Sequence, residues 1–201
     1  EHNSGGSGDT PHNSGGSGDT VHNSGGSGDT AHDSGGSSGS GTSGQADKTY
    51  VPDDNFEQYL IDAGYDDVLD NYVLTNNINS ITSLDINAKG ISDLTGIEDF
   101  TSLVQLLSYQ NTLSSVNLSL NTSLDYLELG ENQITGIDIS ANTLLEHLNL
   151  FGNQLTSIDV STNQALKYLS LGGNSFTNID VSNNLLLTDL LVFDNDLSSL
   201  D

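Results

Sequence analysis

Four histidines, His2, His12, His22 and His32, recur every ten residues beside Asp9, Asp19 and Asp29. Neutral imidazoles and carboxylates at such spacing can ligate zinc, copper or nickel. The glycines and serines between them supply none of the outer hydrogen bonding that holds metal ligands in place, so a flexible linker is the better expectation. A second acidic set, Asp66, Asp67 and Asp70, lacks the alternating order and closing glutamate of a calcium loop and reads as a solvated turn. A third, Asp138, Asp159 and Asp180, with Asn117 ahead and Asp201 behind, repeats at one spacing. Stacked, these carboxylates would lie about 5 Å apart, and calcium or nearby donors would have to offset their repulsion.

Aromatic residues keep the same spacing. One series is Gln105, Tyr126, His147, Tyr168 and Asp189; another is Tyr109, Gly130, Phe151, Gly172 and Phe193. Rings pointing outward from a sheet suggest a ligand face, although tyrosine also favours strands and stacks along ladders. The candidate ligand-face residues are Tyr109, Tyr126, His147, Phe151, Tyr168 and Phe193, flanked by Asp125, Glu128, Glu131 and Glu146. No catalytic set accompanies them. His147 is the one histidine beyond the first 32 residues, there is no cysteine, and no Gly-x-Ser-x-Gly elbow occurs. The expectation is a protein that is not an enzyme.

What must position these side chains is a unit of twenty-one residues. Leu103-Val-Gln-Leu106 returns as Leu124-Asp-Tyr-Leu127, Leu145-Glu-His-Leu148, Leu166-Lys-Tyr-Leu169 and Leu187-Thr-Asp-Leu190. Eight residues after each opening leucine stands an asparagine: Asn111, Asn132, Asn153, Asn174 and Asn195. Fixed-period repetition outranks local propensity and predicts a solenoid. An earlier, atypical unit starts at Ile81, runs twenty-two residues, and has Lys89 at the asparagine position. Ser108 falls at a core position and should weaken its turn. Before it, Asp53 or Asp54 can cap a helix carrying Phe56, Tyr59, Leu60 and Ala63 on one face, with Gly64 as its stop. Such a helix would shield the open edge of the first repeat.

The units resemble the leucine-rich repeat, whose pattern is L-x-x-L-x-L-x-x-N-x-L, over residues 81 to 201. The resemblance implies a solenoid that is α/β by convention but mostly β here, with about six turns on a parallel concave sheet. Stacked asparagines would serve backbone groups where the chain bends. The second half of each unit, such as Ile137-Asp138-Ile139-Ser140, alternates and predicts short convex strands. Three regions are expected: a Gly/Ser-rich decapeptide-repeat tail at 1–46, an N-terminal helical cap at 47–80, and the solenoid at 81–201. The segment Asn-Gln-Leu-Thr-Ser-Ile-Asp-Val-Ser and the leader Tyr-Val-Pro-Asp-Asp-Asn-Phe-Glu resemble secreted Bacteroidetes-type repeat proteins, internalin-like in style. That likeness implies export, through the type IX system, and cell-surface display. It also makes Thr20 and Thr30, in Asp-Thr-aliphatic triplets, O-glycosylation candidates; Asp9-Thr10-Pro11 departs at its third position. The tail's Gly-Gly-Ser-Gly-Asp core resembles calcium-binding nonapeptide repeats but lacks their large apolar residue.

Composition narrows the partners. Across 201 residues, 28 carboxylates face three lysines, giving a formal charge of −25. Such a surface repels phosphate backbones and anionic headgroups, so neither nucleic acid nor membrane insertion is expected, and no apolar run is long enough to span a bilayer. No cofactor is expected; calcium is the one ion the acidic columns could attract. The function expected is extracellular recognition or adhesion, with a protein or polysaccharide on the concave face. The alternative is a subunit of a fibre or surface layer, copies assembling through the tail and the open end at Leu197 to Leu200. The start at Glu1 suggests a processed or truncated product, and the stop in mid-repeat at Asp201 suggests that the natural protein continues.

Overall fold

The structure is a computed structural model and describes residues 47–198. It opens with strand β1 (Lys48–Tyr50) and helix α1 (Asp54–Asp62), followed by strand β2 (Tyr72–Leu74) and the one-turn helix α2 (Thr75–Ile78). β1 and β2 pair antiparallel, Thr49 opposite Val73. Asp53 is the N-cap of α1, its Oδ1 accepting from the N–H groups of Asn55 and Phe56, which lack intrahelical partners. Phe56 and Leu60 are buried along the helix, whereas Ala63 is exposed rather than part of that apolar face. At the far end of α1 the chain reverses at Gly64, where φ is +79°.

Six three-residue strands follow: β3 (Ser83–Asp85), β4 (Gln105–Leu107), β5 (Tyr126–Glu128), β6 (His147–Asn149), β7 (Tyr168–Ser170) and β8 (Asp189–Leu191). They form one parallel sheet in sequence order. Register is uniform, with Leu84, Leu106, Leu127, Leu148, Leu169 and Leu190 forming the middle column. The first five of these are buried, and the strand residues on either side are exposed or half-buried except Ser170, which is buried. A two-residue period on strands this short leaves one inward side chain per strand. Each inward leucine is worth about 1.5–3 kcal/mol of burial. The repeated Leu and Ile of each turn continue the same core, from Ile86 through Leu129 and Leu150 to Leu171.

The expected convex strands do not form among the described residues. At Ile139 the carbonyl accepts from its own turn, through Asn142 N–H, and from Asn163 Nδ2 of the next. Carbonyls satisfied in this way have no need of a ladder to neighbouring N–H groups, so the convex side is built from turns.

Each turn leaves the sheet through one residue with left-handed backbone: Ala88, Gln110, Glu131, Gly152, Gly173 and Asp194, with φ between 52° and 65°. Only two of these are glycine, so the other four carry a backbone cost that the stacked neighbours must offset.

Candidate functional site

The asparagine that follows each reversal acts in both directions. Asn132 accepts at Oδ1 from Leu113 N–H of the preceding turn and donates through Nδ2 to the carbonyls of Ser108, Leu129 and Gly130. Asn153, Asn174 and Asn195 repeat this with Ile134, Leu155 and Phe176. Asn111 receives from Lys89 and Ile91, and its Nδ2 bonds Ser108 Oγ. Ser108, fully buried, is thereby satisfied in the core turn that its polarity was expected to weaken.

A second ladder escaped the sequence reading. Asn121, Asn142, Asn163 and Asn184 are buried at the start of each strand approach. Asn142 Nδ2 donates to the carbonyls of Leu118 and Asn121, Asn163 to Ile139 and Asn142, and Asn184 to Val160 and Asn163. Their recurrence every twenty-one residues was as legible as that of the first set. What sequence could not supply is that these positions are inside.

On the outward face the register places Gln105, Tyr126, His147, Tyr168 and Asp189 side by side. The three central rings stack. Tyr126 and His147 have centroids 4.0 Å apart at 7°, and His147 and Tyr168 4.3 Å apart at 1°. Beside the stack sits Glu128. Its Oε1 lies 2.7 Å from His147 Nε2 and accepts from Tyr126 Oη at 3.1 Å; its Oε2 accepts from Asn149 Nδ2 at 2.6 Å. Burial by itself would raise the Glu128 carboxyl, but the bonds from His147 and Asn149, the nearby imidazole charge and the Tyr126 hydroxyl outweigh it and hold it below the ordinary glutamate value. Conversely, burial and the adjoining Glu128 carboxylate push the Tyr126 hydroxyl up.

Tyr126, Tyr168 and His147 also line a shallow depression of about 290 Å³ with Gln105, Asp125, Glu146 and Lys167. Glu146 and Lys167 neutralise each other at 2.7 Å. Asp125 has no side-chain hydrogen bond or ion pair among the described residues.

The second aromatic series lies beyond the strand ends and packs differently. Tyr109 rests against Gly130, its Cδ2 2.9 Å from where a Cβ would stand. Phe193 lies over Gly172, and Phe151 leans toward Gly173, bringing the two phenylalanine rings to 5.6 Å. Ring and glycine alternate, and at Gly130 and Gly172 the ring of Tyr109 or Phe193 fills the space of the missing side chain. These three residues are therefore first of all a packing seam.

The carboxylates of Asp138, Asp159 and Asp180 are exposed, and each accepts from the N–H two residues on, at Ser140, Ser161 and Ser182. Those serine backbone and side-chain donors hold all three below the ordinary aspartate value. Among the described residues no three carboxylates or imidazoles converge in a way that could hold a metal ion. His2, His12, His22, His32, Thr20 and Thr30 lie outside the described residues.

No family model matches the chain. Internalin J of Listeria monocytogenes is 38% identical over 78 residues, which are 39% of this chain and 8% of that protein. The solved functional domain of InlJ from the same species matches 78% of this chain and 36% of its own length, at 35% identity and a TM-score of 0.72. The fold is an internalin-like leucine-rich repeat solenoid. The internalin InlF of L. monocytogenes matches 75% of this chain and 49% of its own, at 26% identity and a TM-score of 0.63. This chain thus spans less than half the length of each of these relatives. The InlJ domain is described as including a cysteine ladder; here, without a cysteine, two asparagine ladders bind turn to turn.

Proposed function

We propose that the chain is a non-catalytic recognition module that binds a protein partner on the outward face of the sheet, at Tyr126, His147 and Tyr168. The carrying observation is the ring stack. Stacked rings in line with the strand ladder present their edges to a partner, while both faces of His147 are covered. A saccharide packs its C–H groups on ring faces, and the middle of this column offers none. Protein surfaces, by contrast, meet amphipathic ring edges readily, which is why tyrosine is enriched in interfaces. Extracellular display rests on the likeness to internalins, and among the described residues no helix is long and apolar enough to cross a membrane. The alternative of a fibre subunit draws on the tail, which lies outside the described residues, and on the open end at Leu197 to Leu200, of which Leu197 and Ser198 are described.

The test is parallel display of the full chain to protein and glycan arrays, with Tyr126→Ala/Tyr168→Ala as the comparison. Protein spots that vanish in the variant, with glycan spots blank in both, support the reading. Glycan binding that depends on these tyrosines overturns it.

A further inference from the structure

Each end ring of the stack has one face on which no other ring lies, and a carboxylate stands near each end. Tyr126 turns one face to His147 and the other toward the turn of Gln105, an exposed and uncharged neighbour. Asp125, a carboxylate of the depression with no side-chain partner among the described residues, immediately precedes it. Tyr168 likewise has its inner face on His147 and its outer face toward Asp189, which is exposed and directly opposite in register. An aspartate side chain is too short to cover a tyrosine ring, so its carboxylate stands at the foot of an open π face. A cation over such a face gains from the ring quadrupole and from the adjacent carboxylate together. The other acids near the stack are already compensated: Glu146, in the depression, by Lys167, and Glu128, beside the rings, by His147, Asn149 and Tyr126. The whole chain, with 28 carboxylates against three lysines, adds a field that favours approach of positive charge.

Resting on the reading of this face as a protein-recognition surface, we infer that its partner is a basic protein segment. Its arginine or lysine side chains bracket the stack, one on the outer face of Tyr126 beside Asp125, the other on the outer face of Tyr168 beside Asp189. Arginine suits the positions better, since its planar guanidinium stacks on a ring while bonding a carboxylate. The inner rings then serve as a rigid spacer between two cation seats.

The experiment uses the full chain and a fluorescent hexa-arginine peptide, with hexa-citrulline as its uncharged counterpart, followed by anisotropy in about 0.15 M salt, where the Debye length is about 8 Å. The expected result is saturable binding of the arginine peptide and none of the citrulline peptide. Asp125→Asn/Asp189→Asn should weaken it about tenfold, as expected for two partly exposed charge contacts. The control pair Asp54→Asn/Asp62→Asn, on the cap helix, removes equal charge and should change binding by less than about twofold. Equal weakening by the two pairs would mean that bulk acidity alone attracts the peptide, and equal binding of citrulline would remove the cation seats; either overturns the inference. If the arrays yield a protein ligand that depends on Tyr126 and Tyr168 but is indifferent to Asp125 and Asp189, this inference falls while the recognition reading stands.

Discussion

Cδ2 of Tyr109 lies 2.9 Å from the point where a Cβ on Gly130 would be built, and the Phe151 carbonyl oxygen closes the same space at 3.3 Å. Gly130 is thus the socket of the Tyr109 ring, and the next turn's backbone is its wall.

Gly130→Ala should therefore cost about 1–2 kcal/mol, because the ring must leave and the backbone must yield. Gly172→Ala meets only the outer atoms of Phe193, a half-exposed ring that can swing aside. Its cost should stay below about 1 kcal/mol. Urea unfolding of both variants checks the order; equal losses would show that the socket has no wall.

Glu128 makes stability depend on acid. Its folded-state carboxyl is held below the ordinary value of about 4.3, so the stabilisation is present above that pH and is lost as pH falls through the folded value. Glu128→Gln removes the charge but keeps the shape. The stability difference between wild type and this variant should be full at pH 6 and shrink steadily below about pH 4.3, measured as urea midpoints across the range. A difference independent of pH would contradict the network drawn around Tyr126, His147 and Asn149.

The inner ladder should be the more sensitive of the two. Asn163→Ala removes one of the two donors from each of the Ile139 and Asn142 carbonyls in the interior, which keep the N–H groups of Asn142 and Leu145, at about 0.5–1.5 kcal/mol for each lost bond. Asn163→Asp should be at least as harmful, since a carboxylate cannot donate. Thermal melts compare both with Asn195→Ala, at the half-buried last described turn, which should cost less.

Asp53 joins the cap to the solenoid. Its Oδ1 caps α1, and its Oδ2 accepts from Ser92 N–H, Ser92 Oγ and Asp93 N–H. Burial raises this carboxyl, but those donors outweigh it and hold it below the ordinary aspartate value. Asp53→Ala should lose about 2–3 kcal/mol, a capping contribution of about 1 plus the contacts to the turn. Hydrogen exchange would show the loss as faster amide exchange at Ser92 and Asp93 as well as in α1. Protection unchanged at the turn would mean that the cap is not anchored there.

The repeat was readable because a solenoid imposes one demand, an inward leucine per strand, at each turn, and translation copies it along the sequence. Leu106, Leu127, Leu148 and Leu169 thus determined both the fold and the register, and with the register which side chains share a column. Asp53 was legible as a cap for a local reason, since its first partners lie two and three residues away. Its second hold, on Ser92, spans a distance in sequence that no spacing rule covers.

Periodicity carries no information on what neighbouring side chains do once aligned. The two aromatic columns looked alike in sequence. Only the three-dimensional packing decided that Tyr126, His147 and Tyr168 stack over a hydrogen-bonded carboxylate, while Tyr109, Phe151 and Phe193 settle into glycine sockets beyond the strands. The convex strands failed for a related reason: alternation predicts extended backbone, but a strand also needs free carbonyls, and at Ile139 those were taken by Asn142 and Asn163. Sequence by itself determined the leucine columns and the acidic charge of this protein. Tertiary structure decided which rings stack and which carboxylates gain partners from a neighbouring turn, because both depend on contacts between turns.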